Sequence, residues 1–287
     1  MTQTITHLTF AGFGEAATAF LDGWGTDRPA HIAAFDVRSD VAMLSRYRHH
    51  GVTGSADASA AFSQAQAVFS VVTADQALAV ATIAAPHLIS GTLWLDCNSC
   101  SPDTKRRAAD VITAAGGHYI DVAVMAPVHP KKHHAPLLVA GPDAAVAMAL
   151  LTALDMRPTL VGDELGQASA IKMIRSVMVK GMEALSAECF VAARRAGVAD
   201  AVLASLVASD PALDWPRRGA YNLERMMVHG PRRAAEMREV IVTLTDLGLD
   251  AGMSAAAAAW QDRVGALQAD PGEEDLFTRA GRIADHL

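Results

Sequence analysis

Cysteine is scarce. The 287 residues hold three, an odd count and too few for a disulfide framework. A packed core rather than cross-links must therefore hold the chain together. Basic charge is also in short supply: 24 Lys and Arg against 31 Asp and Glu leave a net charge of −7, which argues against a nucleic-acid partner. No apolar run approaches the roughly 18 residues of a membrane span. No basic segment followed by an apolar stretch opens the sequence, so no export signal is expected. Internal repeats and low-complexity linkers are missing as well. What is present is a composition of 51% hydrophobic and 19% charged residues, enough for a sizeable core and long enough for two domains. The expectation is a cytoplasmic, globular protein.

The most informative stretch covers residues 5–36. Residues 5–11 are apolar and rich in β-formers. Gly12-Phe13-Gly14-Glu15-Ala16-Ala17 follows and leads into an alanine-rich, helix-prone segment. A second apolar run, 32–35, ends in Asp36. Strand, glycine turn, helix, strand and acid in this order form the dinucleotide fingerprint in its required setting. Gly12 permits the tight turn, Gly14 lets the backbone approach a pyrophosphate, and Ala17 supplies the third small position. The amides of Phe13 and Glu15 lie at a helix N-terminus, which attracts phosphate. The carboxylate of Asp36 suits the ribose hydroxyls of NAD and repels a 2′-phosphate. Arg38 and Ser39 follow directly and would suit such a phosphate, so NADP remains the alternative.

Strand-like segments at 8–10, 32–35, 68–72, 93–96, 119–124, 137–140 and 159–161 alternate with helical ones at 75–85, 102–115 and 144–154. Near-continuous apolar strands separated by helices predict a mostly parallel, doubly wound α/β sheet of Rossmann type. From about residue 163 the text turns helical: a long helix over 163–195, then helices near 200–209, 222–228, 231–247 and 253–267, with His229-Gly230-Pro231 as a break. The expected division is an α/β domain over 1–162 and an all-α domain over 163–287.

In such sheets ligands bind beyond the carboxyl ends of the strands. That rule selects Thr73 and Ala74, the segment Asp96-Cys97-Asn98-Ser99-Cys100-Ser101-Pro102, and Asp121 to Pro127. Helix capping by Ser101 explains part of this pattern without any ligand. Taken together, however, the segments resemble the β-hydroxyacid dehydrogenases, the superfamily that includes 6-phosphogluconate and 3-hydroxyisobutyrate dehydrogenases. Residues 96–102 look like its Asp-x-Ser-Thr-x-Ser-Pro segment, with Asn98 and Ser99 in the Ser-Thr places. Asp121-Val122-Ala123-Val124 looks like the opening of its substrate segment, but Met125, Ala126 and Pro127 stand where Ser-Gly-Gly belongs. Residues 162–172 are similar to its Gly-x-Gly-x-x-x-Lys motif, which puts Lys172 in the place of the catalytic lysine. Arg175 and Ser176 occupy the two places where its asparagine is expected. The closest likeness is to 6-phosphogluconate-dehydrogenase-like NAD-binding proteins with a short helical C-terminal domain of unassigned function.

The resemblance implies an NAD(P)-dependent oxidoreductase that moves a hydride between nicotinamide and the secondary alcohol or ketone of a small polar hydroxyacid or sugar acid. Thr73, Ala74 and Ser99 would border the nicotinamide, and Asn98, Ser99, Met125, Arg175 and Ser176 the substrate. Oxidising an alcohol needs a base as well as a hydride acceptor. A lysine serves as that base when burial or a nearby positive charge favours its neutral form, and Lys172 lies in an apolar run. Imine reduction on the same scaffold is one rival; those enzymes usually lack the lysine. A non-catalytic nucleotide sensor is the other.

Three further groups draw the eye. Cys97 and Cys100 form a Cys-x-x-Cys, but no second pair exists to complete a metal site. His129, Lys131, Lys132, His133 and His134 read as a basic surface loop without an acidic partner, so no metal is expected. His229, with Arg232 and Arg233, is a candidate for a substrate contact. Long alanine-rich helices suit a homodimer.

Overall fold

The computed structural model describes residues 5–287. In chain order, β1 (His7–Ala11) leads through a turn into α1 (Glu15–Trp24) and β2 (His31–Phe35). Next come α2 (Val41–His50), β3 (Thr53–Ser55), α3 (Ala58–Phe62), β4 (Ala67–Ser70), α4 (Ala77–Ala84), β5 (Leu93–Asp96) and α5 (Pro102–Ala114). Then follow β6 (His118–Val124), β7 (Pro136–Ala140), α6 (Ala144–Ala153) and β8 (Arg157–Gly162). The eight strands lie in the order β3-β2-β1-β4-β5-β6-β7-β8. All neighbours are parallel except β6 and β7. The expected mostly parallel, doubly wound sheet is thus observed. β3 was not foreseen, because three residues including Gly54 carry no strand signal of their own.

Alternation along the strands shows that both faces are covered. Phe69, Leu95 and Ile120 join one apolar cluster with Phe10, Phe20 and Trp24, while Val68, Trp94 and Tyr119 join another with Phe62 and Ile112. Local signals place the helix starts. The Asp40 carboxylate accepts from Met43 N at 3.0 Å at the head of α2. Ser101 Oγ accepts from Thr104 N at 3.2 Å at the head of α5, with Pro102 in the first turn.

The chain forms two compact units that meet between Met173 and Ile174, inside the helix α7 (Gln167–Arg195). That helix begins at Gln167 and not at 163, because Gly166 adopts φ +95°, outside the right-handed helical region. A side chain there would also collide with Pro102 at 2.9 Å.

The second unit is helical throughout: the rest of α7, then α8 (Ala199–Ser209), α9 (Trp215–Asp246), α10 (Gly252–Ala266) and α11 (Leu276–Ala284). Its core gathers Phe190, Leu223, Met226, Val264 and Ile283. The expected break at His229-Gly230-Pro231 does not occur; α9 runs through it with Pro231 inside. A close crossing explains this. A Cβ on Gly230 would lie 2.4 Å from Gln261 O and 2.6 Å from Gly265 Cα, so the glycine is where α10 touches the α9 backbone. Buried charges accompany the crossing. Arg233 donates to Glu183, Gln261 Nε2 donates to Glu183 at 2.8 Å, and Lys180 pairs with Glu236 at 2.9 Å.

Candidate active site

The turn after β1 is built around Gly12. Its φ is +90°, and a Cβ would stand 2.8 Å from Val72 Cγ1 and 3.0 Å from Val71 O, so only glycine fits. Phe13 N donates to Asp36 Oδ2 at 2.8 Å, and Arg38 N donates to Asp36 Oδ1 at 2.9 Å. One carboxylate therefore ties the glycine turn to the end of β2. The Phe13 ring is fully buried and packs on Tyr47, with centroids 4.9 Å apart. Gly14 caps α1, and a Cβ there would meet nothing within 4 Å. Glu15 opens the helix at the surface, while Ala17 is buried beneath it.

A cleft of about 240 Å³ lies against these groups, with Gly12, Phe13, Gly14, Asp36, Arg38 and Thr73 among its walls. Ala74, buried, starts the short 3-10 turn behind Thr73. The residues fit a dinucleotide: the head of α1 at Gly14 and Glu15, space above Gly14 and a carboxylate at the second strand's end. The Phe13 amide, expected at the phosphates, is instead taken by Asp36. Arg38 is already engaged, with Nε at 3.0 Å and Nη2 at 2.8 Å from Asp40 Oδ2.

The loops after β1, β4, β5 and β6 leave the same end of the sheet, because those strands are parallel. At that end Lys172 Nζ donates to Ser99 Oγ at 2.5 Å. Small residues let the start of α7 approach: Ala168 packs on Ala123 and Ala140, with Met125 and Val161 at the margin. Met125 N also donates to Pro136 O at 2.8 Å, closing the β6–β7 turn. Asn98 is 3% exposed and turns its amide inward, Nδ2 to Ser70 Oγ at 2.8 Å, with Oδ1 buried and unpartnered.

Beneath Ser99 lies a cluster that pattern reading missed. Lys105, Asp96 and Asp121 are fully buried. Lys105 Nζ donates to Asp96 O and, at 3.0 Å, to Asp96 Oδ1, and it lies 3.4 Å from Asp121 Oδ1. Burial alone would lower the Lys105 ammonium, but the two aspartates outweigh it and push its pKa up. Tyr119 OH donates to Asp96 Oδ2 at 2.6 Å, and burial, reinforced by Asp96, holds that phenol well above its ordinary range. The available signal was Tyr119 and Asp121 spaced two apart on one strand, with Lys105 one turn into a helix.

Cys97 and Cys100 are both buried, and burial pushes the Cys97 thiol up to about 12. A thiol so held is no redox nucleophile. The histidine loop, by contrast, is neither wholly at the surface nor without an acid. His133 is buried, so close to α1 that a Cβ on Gly23 would meet its Nδ1 at 1.9 Å. Asp155 accepts from His134 Nε2 at 2.9 Å and lies 3.7 Å from His133 Nε2. The ligand atoms of the three lie within 4.8 Å of one another. Arg157 takes the other Asp155 oxygen at 2.7 Å, and this bond, with that from His134, pulls the Asp155 carboxyl down. The carboxylate of Asp155 thus ties His134 and Arg157 together by hydrogen bonds beside the buried His133. Arg175, Ser176 and His229 belong to the helical unit: Arg175 is exposed, Ser176 is buried and accepts from Lys180 Nζ at 3.1 Å, and His229 is half-buried on α9.

Comparison with known proteins gives this geometry a context. Residues 26–155 match the NAD binding domain of 6-phosphogluconate dehydrogenase, and residues 193–264 match a domain of unknown function (DUF1932). A conserved hypothetical protein from Sinorhizobium meliloti 1021 is 38% identical, with 100% of this chain and 98% of that one covered and a TM-score of 0.75. A conserved protein of unknown function, described as structurally similar to 3-hydroxyacid dehydrogenases, is 30% identical over 91% of this chain and 98% of its own, with a TM-score of 0.68. The chain belongs to the β-hydroxyacid dehydrogenase superfamily. Within that superfamily, Mycobacterium tuberculosis 3-hydroxyisobutyrate dehydrogenase shares the fold at 19% identity, with a TM-score of 0.70 over 97% of this chain and 99% of that one. No curated protein matches the chain. The match to an NAD binding domain supports a nicotinamide cofactor. Among the described residues, no helix is long and apolar enough to cross a membrane.

Proposed function

We propose that the protein is an NAD-dependent dehydrogenase that interconverts the secondary alcohol and ketone of a small polar hydroxyacid or sugar acid, with Lys172 as the general acid/base. The observation that carries this reading is the 2.5 Å bond from Lys172 Nζ to Ser99 Oγ, at the sheet end that also presents the glycine turn. Bound nicotinamide supplies the hydride acceptor and a positive charge. Lys172 in its neutral form takes the hydroxyl proton of the substrate at Nζ and returns it in the reverse direction. Ser99 holds that nitrogen in place, and Ala168, one turn earlier on α7, packs on Ala123 and Ala140 and anchors the helix start. NAD is favoured over NADP because Asp36 lines the cleft while Arg38, which lines it too, is held by Asp40. The second unit favours a homodimer: Ile174, Met178 and Leu185 share one exposed face of α7 at 49%, 67% and 56%.

Thermal unfolding with NAD, NADH, NADP and NADPH tests the cofactor. Saturation with NAD(H) at about 100 times Kd should add about 2.7 kcal/mol, with a smaller shift from NADP(H). No shift with any of the four would sink the dehydrogenase reading. A hydroxyacid screen by nicotinamide absorbance then tests Lys172→Ala, which should lower kcat at least about 100-fold while leaving the cofactor shift in place.

A further inference from the structure

Lys105 is a buried charge that the mechanism above leaves unused. It sits in the first turns of α5, where its neighbours Arg106 and Arg107 make it look like one more solvated cation. Its side chain instead runs inward to the ends of β5 and β6. Asp96 and Asp121 are register partners on those strands, so two carboxylates face each other without access to water, an arrangement that like charges oppose. The Lys105 ammonium stands between them and also donates to Val122 O at 3.3 Å.

Two arms lead from this ammonium to the reacting pair. Along the first, Asp96 Oδ1 accepts from Lys105 and from Asn98 N at 2.9 Å, which sets the backbone one residue before Ser99. Along the second, Asp121 Oδ2 accepts from Ser169 N at 3.0 Å, and Ser169 Oγ donates to Cys100 O. Ser169 lies one turn before Lys172 on α7, so this arm sets the start of the helix against the same loop. The first arm ends on Ser99 and the second on Lys172.

We propose that Lys105 is a positioning residue: its ammonium, through Asp96 and Asp121, brings Ser99 and Lys172 together. This rests on the reading of Lys172 as the acid/base, but the experiment that tests it needs no turnover. Each variant is treated with an acetylating reagent at fixed pH, and the rate at Lys172 is measured by peptide mass spectrometry against that at the exposed Lys131.

Lys105→Met leaves two unpaired buried carboxylates and is expected to fold poorly. The double variant Lys105→Met/Asp121→Asn removes one charge of each sign, and is the informative one. We expect a native circular dichroism spectrum, an unchanged Lys131 rate and a Lys172 rate raised at least about threefold, with Ser99→Ala raising it similarly. A folded double variant whose Lys172 reacts at the wild-type rate would overturn the proposal. Failure of both Lys105 variants to fold would also overturn it, since Lys105 would then hold the fold and not the pair. Failure of the acid/base reading would show separately, as turnover surviving Lys172→Ala.

Discussion

Alanine at position 230 tests whether α9 crosses α10 there or breaks. A glycine in a helix interior costs about 1 kcal/mol relative to alanine, so substitution at a plain helical glycine stabilises. At Gly230 the new methyl would lie 2.4 Å from Gln261 O and 2.6 Å from Gly265 Cα. Both are backbone atoms, so no rotamer change relieves the contact and α10 must move by about an ångström. Overpacking of this kind costs about 1–3 kcal/mol, and a backbone obstacle places it at the upper end. Subtracting the propensity gain leaves a net loss of about 2 kcal/mol, or a Tm lower by roughly 6–10 °C in a unit of this size. Gly181 on α7 is the control, because nothing lies within 4 Å of a Cβ there. Gly181→Ala should gain up to about 1 kcal/mol. Urea unfolding followed by far-ultraviolet circular dichroism, with unchanged m-values, would separate the two. A Gly230→Ala protein as stable as wild type would refute the crossing and restore the helix break read from His-Gly-Pro.

Two further outcomes follow from burial. Iodoacetamide should modify the exposed Cys189 in the native protein and leave the buried Cys97 and Cys100 intact; the Cys97 thiol, pushed up to about 12, is thiolate in about one molecule in 10⁴ at pH 8. Native-state labelling of Cys97 at the Cys189 rate would contradict the packing. The second concerns acid. His133 and His50 are held below the ordinary imidazole value of 6.5, in each case chiefly by burial. The folded protein therefore binds fewer protons there than the unfolded chain, and stability falls as pH drops below about 6.5. His133→Gln should flatten that slope between about pH 7 and 5; an unchanged slope would assign it elsewhere.

Much of the first unit was legible because its signals are local. Seven strands announced themselves as short apolar runs, and the glycine turn with Asp36 needs only its flanks to be read. β3 was invisible since its pairing is to β2 and not to any pattern of its own. Lys105 was invisible because its run of Thr-Lys-Arg-Arg reads as a solvated helix face, and what turns it inward is a pair of aspartates on two other strands. The acid beside His134 lies 21 residues downstream, beyond any local window. In the second unit the error was one of weight: glycine and proline side by side are strong break signals, yet Gly230 serves contact with α10, and burial of Met226, Met227 and Ala234 around it outweighs the hydrogen bond that Pro231 cannot make.

The buried ion pairs of the helical unit have a consequence for alignment. Its helices pack largely through alanine and methionine, side chains too small or too pliable to reject a neighbour displaced by one turn. Glu183 with Arg233 and Gln261, and Lys180 with Glu236, are less forgiving. Sliding α9 along α7 by a single turn would strand each charge opposite the wrong partner in a dry interior, which costs several kcal/mol. The pairs therefore act as index marks, choosing one register among several that apolar packing alone would allow.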